Sequence, residues 1–380
     1  DSNSIAYYIQ KNTKHKIKAF TANIENKYQL SKNETDITIP NKICDKFGWE
    51  KIETKIDFEY LNKNLIQIIN HHDEIITNSG VILFYALSET AKNNNIKVIM
   101  TGVGGDELFG GYPWQNKMRF LPRILNKFLI KFNPFNFTNN FNLFFLGNKE
   151  NFLQHKLSKF FQLLNPLYSH YQALGLDLQN YMFDKKKVTN KKLNYFANKY
   201  FKQTKKIVSE DLYNQMNYFN VFSVISTQNY MTDMGCMKHS IENRAPLLDY
   251  EMMELLMKVP DKYKIKKGLK SVFKTFMKDK LPDFVISSIK SGPSLPIEKW
   301  FEDNLQKKDI ERFILKNIDI ISEFASRDLS KKIKKDKSWI YENKNLKLFA
   351  IISMIIWVKI NHQKSIQNIN ISLKQLIEES

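Results

Sequence analysis

The apolar positions of this chain change period several times before residue 112, and each change marks an element. Residues 3–13 have the spacing of a short helix. Residues 16–24 carry Ile17, Ala19 and Phe20 without Gly or Pro, which predicts a strand. A loop and a helix through Ile43 and Phe47 follow, with Gly48 placed to stop the helix. Residues 51–56 predict a second short strand. Over 58–71, Leu61, Leu65, Ile68 and Ile69 share a helical face, as do Val81, Leu83, Phe84, Leu87 and Ala91 over 81–91. Residues 96–100 (IKVIM) read as a short strand between the polar turn Asn93-Asn94-Asn95 and a glycine loop. This order of helix, strand, helix, strand, helix, helix, strand predicts parallel strands covered by helices. Ligands of such sheets bind beyond the carboxyl ends of the strands, so the loop at 102–111 is the expected ligand position.

Farther along, the Asn/Phe-rich stretch 133–148 reads as an irregular loop packed by its own aromatics. From about 150 onward the patterns are mostly helical, most clearly at 252–257, 272–277 and 348–357. The expected fold class is therefore α/β: a parallel sheet with flanking helices in residues 1–115, and a mostly helical region over 116–380.

Composition narrows the function classes. A chain of 380 residues that is 43% hydrophobic can bury a large core, and no period of 20–50 residues points to a solenoid or propeller. No apolar run reaches the roughly 18–20 residues of a spanning helix; 348–358 is too short and reads as a buried helix, so no membrane role is expected. Cys44 and Cys236 stand far apart without partners at metal spacing, which argues against disulfides and zinc and fits a cytoplasmic location. The formal charge of +19 comes mainly from dispersed lysines rather than an Arg-rich stripe, so no specific nucleic acid is expected as a partner. Residue 1 is Asp and no basic-then-apolar leader follows it, so the chain is expected to be a piece of a longer protein.

The informative stretch is Thr101-Gly102-Val103-Gly104-Gly105-Asp106-Glu107-Leu108-Phe109-Gly110-Gly111-Tyr112. A strand ends and a loop with five glycines begins. Glycine lets backbone N–H groups approach a phosphate without a Cβ in the way. Asp106 and Glu107 would repel a bare phosphate, and fit one if a divalent cation lies between them. The residues alone leave a second reading open, a tight structural turn capping a helix.

Taken whole, the string resembles the S-G-[DE]-G-[GSA]-D-E-L-F-G-G-Y signature of the asparagine synthetases, with Val103 standing where that family has an acidic residue. Three further blocks are similar to the same family. Asp1-Ser2-Asn3-Ser4 resembles the end of S-G-G-x-D-S-S, the pyrophosphate loop of the N-type ATP pyrophosphatases (PP-loop proteins), and the T-F-S-like strand expected one helix later is matched at Ala19-Phe20-Thr21-Ala22. Residues 233–249 resemble D-x-x-S-M-x-x-x-[LV]-E-x-R-x-P-F-L-D; there Glu242 and Arg244 also fit a simple ion pair, and the block reads as architectural. Lys267-Gly268-Leu269-Lys270-Ser271, Leu281-Pro282, residues 288–296 and Trp300 resemble K-x-x-L-R…L-P…R-x-K-x-G-F-x-x-P…W, with Ser288 in place of the family's Arg.

The resemblance implies an ATP-dependent amide-forming ligase of asparagine biosynthesis, with a PP-loop, Rossmann-like core. It implies a carboxylate, aspartate in that family, activated as an acyl-adenylate and attacked by glutamine-derived ammonia. ATP and Mg²⁺ are the implied cofactors. Asp1 and Asp106 would hold the metal; Ser2, Gly104 and Gly105 would line the pyrophosphate; Thr101, Gly102 and Ala22 would line the adenosine; and Lys290 would be catalytic, meeting the charge on the leaving group. A glutaminase domain is expected upstream, a homodimer is compatible, and the fragment alone is expected to be inactive. Because Val103 can neither accept a proton nor bind a cation, a ligase with another acceptor, as in the β-lactam synthetase branch, stays open, and so does a degenerate relative that only binds nucleotide; a tRNA-modifying ATP pyrophosphatase would use the positive charge, but the E-x-R-x-P-x-L-D block belongs to the asparagine synthetase branch.

Overall fold

The computed structural model describes residues 1–24, 35–112, 115, 221, 225–288, 295–341 and 347–379. The Asn/Phe-rich segment lies outside them. Helix α1 (Ser2–Asn12) leads into strand β1 (Lys18–Asn23), helix α2 (Thr35–Phe47) and strand β2 (Glu50–Lys55). Gly48, at φ 68°, turns the chain out of α2 in a conformation that suits glycine. Helices α3 (Phe58–His72) and α4 (Gly80–Asn93) precede strand β3 (Val98–Met100) and the short helix α5 (Gly105–Phe109). Asp57 starts α3 by accepting the Tyr60 N–H at 2.9 Å. The chain is then described from α6 (Ser226–Met237) through β4 (Glu242–Arg244), α7 (Tyr250–Lys258), α8 (Ser271–Met277), α9 (Ile297–Asn304), α10 (Lys307–Lys316), α11 (Arg327–Lys335), α12 (Lys347–Asn361) and α13 (Leu373–Glu378).

The class is α/β, mostly helical, with parallel strand pairs. Among the described residues the strands form two pairs rather than one sheet: β1 with β2, Lys18 opposite Glu50, and β3 with β4, Val98 opposite Glu242. Strand β4 is an element the hydrophobic pattern does not mark. Its residues Glu-Asn-Arg are polar, and it exists through its backbone pairing with β3. The ion pair expected in this block is present on its exposed side, Arg244 Nε to Glu242 Oε1 at 2.8 Å.

The core explains how the two halves of the chain meet. Apolar faces of α3 and α4 pack in one cluster with α9 to α13. Helix α12 is buried nearly all round, from Leu348 to Val358, as a helix inside a core must be. Helix α6 lies against α4 at a glycine: a Cβ on Gly235 would sit 2.8 Å from the Phe84 Cβ and 3.2 Å from the Val81 carbonyl. Ser88 on α4 reinforces the contact, donating to the Gly235 carbonyl at 2.9 Å and meeting His239 Nδ1 at 2.9 Å. This packing carries β4 to the edge of β3 and so fixes the floor of the glycine loop. Both cysteines are free and buried, and burial pushes the Cys236 thiol up to about 12. No described helix is long and apolar enough to cross a membrane.

Candidate functional site

The glycine loop leaves β3 after Met100 and enters α5 at Gly105. The Thr101 N–H donates to the Arg244 carbonyl at 2.9 Å, so the end of β4 sets where the loop begins. Gly104 has φ 96°, in the left-handed region, and a Cβ there would strike Leu248. Gly102 and Gly105 face the start of the chain. A Cβ on Gly102 would lie 2.6 Å from Asp1 Cβ and from the Ser2 nitrogen, and one on Gly105 would overlap the Asp1 carboxylate. Asp1 caps α1, its carbonyl accepting the Ser4 N–H at 3.1 Å and the Ser4 hydroxyl at 2.6 Å. Thus Asp1 and Ser2 lie in direct contact with the loop.

The Asp1 and Asp106 carboxylates share one cation. Lys270 Nζ is 2.7 Å from Asp1 Oδ1 and 2.7 Å from Asp106 Oδ1. The three side chains are only 15–22% exposed. Lys270 holds φ 55°, a left-handed conformation uncommon outside glycine. Its N–H donates to the Gly110 carbonyl at 3.0 Å, and its stem crosses Gly111, where a Cβ would lie 2.5 Å from Lys270 Cε. Lys270 is a residue of this cluster to which the sequence assigns no role. The available signal was its place in the block that resembles K-x-x-L-R, where a basic residue follows Leu269.

Glu107 turns away from this cluster. It is buried, and its carboxylate accepts the Gly104 N–H at 3.1 Å where α5 begins. It also accepts the Tyr112 hydroxyl, to which Gln228 Nε2 donates at 3.3 Å. Burial and the Glu107 charge push the Tyr112 hydroxyl far above its ordinary range, so it stays a protonated donor. A 430 Å³ cleft opens beside the loop, lined by Asn229, Tyr230, Asp233, Asn243, Ala245 and Leu248; Leu248 is the residue against Gly104. Beside the loop and cleft, Asn243 Oδ1, in the cleft lining, and Thr101 Oγ1, at the head of the loop, are buried without a hydrogen-bond partner among the described residues. An unpaired buried acceptor or hydroxyl is costly unless a ligand satisfies it.

Of the expected site residues, Asp1, Ser2, Thr101, Gly102, Gly104, Gly105 and Asp106 come together around the loop. Ala22 lies in the other strand pair, opposite Thr54 in β2. Lys290 lies outside the described residues. No group of three His, Cys, Asp or Glu gathers for a metal among the described residues. Two carboxylates beside a glycine loop nevertheless fit Mg²⁺, which commonly takes one or two carboxylates and completes its shell with phosphate oxygens and water.

The sequence pattern of the family described as asparagine synthase matches residues 1–358. The chain is similar to a protein of Bacillus subtilis (strain 168) named asparagine synthetase [glutamine-hydrolyzing] 1, with 22% identity over 350 residues, covering 87% of this chain and 51% of the relative. It therefore spans about half the length of the curated relative it matches. With the match running from the first residue of the site into α12, the chain belongs to the asparagine synthase family.

Proposed function

We propose that this chain is the synthetase part of an ATP-dependent amide-forming ligase. The observation that carries the reading is the meeting of Asp1 and Asp106 at a glycine loop beyond the end of a parallel strand. The substrate carboxylate, aspartate in the first instance, attacks the α-phosphorus of ATP; the bond to the β-phosphate bridging oxygen breaks, pyrophosphate leaves, and an acyl-adenylate forms. Ammonia then attacks the acyl carbon, AMP leaves with the bonding pair, and the amide remains. Mg²⁺, when bound, would neutralise the phosphate charge that builds up in the first step.

The residues of the chain have separate tasks in this scheme. Asp1 and Asp106 hold the metal. Ser2 and the N–H groups of Gly104 and Gly105 line the pyrophosphate; Thr101, Gly102 and Ala22 line the adenosine, with the unpaired Thr101 hydroxyl a ready donor. Lys270 and Lys290 supply positive charge to the leaving group. The cleft at Asn229, Asp233 and Asn243 adjoins the loop where the acyl group would lie. Ammonia would come from a glutaminase domain outside this chain. Residues 1–115 form the nucleotide-binding part and 116–380 the helical remainder. Val103 supports a second reading, a ligase of the same chemistry with a different acceptor, because the acidic residue of the family is missing there.

The test is ATP–pyrophosphate exchange by the full-length protein against a panel of carboxylates. Exchange that depends on one carboxylate and falls at least about 100-fold in Asp106→Asn is expected, the scale of losing one preorganised electrostatic contact. Full exchange by Asp106→Asn would remove the metal assignment, and no exchange with any carboxylate would remove the ligase reading.

A further inference from the structure

We infer that Lys270 is a built-in counter-ion for the Asp1–Asp106 pair, and that a divalent cation reaches this pair only by displacing its ammonium. The inference rests on the nucleotide-site reading above and adds a competition within it. Two carboxylates brought to one point repel unless a positive charge stands between them. Here the charge is Lys270 Nζ, 2.7 Å from an oxygen of each. Its backbone is held in the left-handed conformation, tied by its N–H to Gly110, and its stem is laid over Gly111. This lysine reaches its place by a strained and anchored route, not as a surface side chain that happens to fold over.

An ammonium and a divalent cation at the same carboxylate oxygens repel each other strongly in a site so little exposed to water. The lysine is a point charge on a flexible stem with three donors, so its head can swing off while Cα stays anchored. Once released it needs a new partner, and the phosphates of an incoming nucleotide supply one. Metal and nucleotide are then coupled through Lys270: each is bound weakly alone and better together. The device bridges the two carboxylates and offsets their mutual repulsion before the substrate arrives, and it disfavours metal capture without nucleotide.

The experiment measures Mn²⁺ binding by electron paramagnetic resonance of the free ion, on full-length wild type and Lys270→Met, with and without ATP. Without ATP, Lys270→Met should bind Mn²⁺ at least about tenfold more tightly than wild type, a typical coupling between two sites. Adding Asp106→Asn should abolish that gain, and ATP should enhance Mn²⁺ affinity less in Lys270→Met than in wild type. Equal or weaker Mn²⁺ binding by Lys270→Met without ATP overturns the inference. A second measurement uses wild type only: acetylation of Lys270 by acetic anhydride, read by peptide mass, should quicken when Mn²⁺ is added alone. An unchanged rate at saturating Mn²⁺ overturns the inference as well. If wild type binds no Mn²⁺ at any ATP concentration, the metal reading itself falls, and the counter-ion role with it; binding with ATP but no effect of Lys270→Met removes the counter-ion role alone.

Discussion

Val103 sits half-buried between two glycines whose backbones face Asp1 on one side and Leu248 on the other. In the proposed scheme the acidic residue that the family has here would stand beside the acyl centre, and valine offers neither a base nor a charge. Adenylation needs metal, phosphate loop and lysine, all of which the proposed scheme supplies. The second step is the one that uses a local base, worth about 10²–10⁴-fold where one acts. Glu107 cannot take that task, because its carboxylate is engaged with the Gly104 N–H and the Tyr112 hydroxyl. Val103→Glu should therefore raise amide formation from aspartate and ammonia by about tenfold or more while changing pyrophosphate exchange little. Fast native asparagine formation that Val103→Glu leaves unchanged or lowers would show that the acid is dispensable in this branch. At this scale the loop is legible in the sequence, since glycine spacing and acidic residues encode a close backbone approach directly. Lys270 is not, because its role depends on a left-handed backbone and a contact with the far end of the chain, neither of which a lysine announces.

Helices with one-sided or fully apolar patterns are the elements that sequence spacing finds: α3 and α4 lie within two residues of where the periodicity puts them, and α12 starts one residue before its expected start and runs on to Asn361. Strand β4 escapes because three polar residues held by backbone pairing have no side-chain signature. The junction of α9 and α12 is equally silent in the sequence. Glu298 of α9 accepts the Leu348 N–H at 3.2 Å in the first turn of α12, in an apolar setting beside Lys347. Burial raises its carboxyl from the ordinary 4.5 to about 7, against the opposing pull of that hydrogen bond. The folded chain thus holds the Glu298 proton more tightly than the unfolded chain does. This contribution is fully present below pH 4.5 and is lost as the pH rises to 7 and above, on the order of 2–3 kcal/mol at most. Glu298→Gln keeps an acceptor for the Leu348 N–H without the ionisable group. Urea unfolding at pH 5 and pH 8 should show the variant matching wild type at pH 5 and exceeding it by about 1–2 kcal/mol at pH 8. Equal stabilities at pH 8 would mean that the carboxylate finds compensation in the folded state.

Over the whole molecule, one cluster joins α3 and α4 to α9 through α13, so the described parts of the two halves share a core. The site lies off this cluster, at the ends of β3 and β4, held by α6 through Gly235 and Ser88. That division separates the source of stability from the source of chemistry, and the charge of +19 is carried mainly by lysines. The lysines are distributed rather than gathered: some end helices, as Lys332, Lys334 and Lys335 end α11, where a cation favours the helix dipole. Others pair with neighbours, as Lys299 does with Glu302 at 3.3 Å and Asp303 at 3.2 Å. A basic surface of this kind attracts any polyanion and discriminates among none. Binding to a DNA duplex should strengthen by about tenfold or more between 200 and 50 mM salt. Duplexes of scrambled sequence should compete equally at each salt concentration, because dispersed phosphate contacts carry no base information. Tight binding at 150 mM salt that distinguishes one duplex from its scrambled version would require a reading surface, and would restore the nucleic-acid function that the lysine distribution argues against.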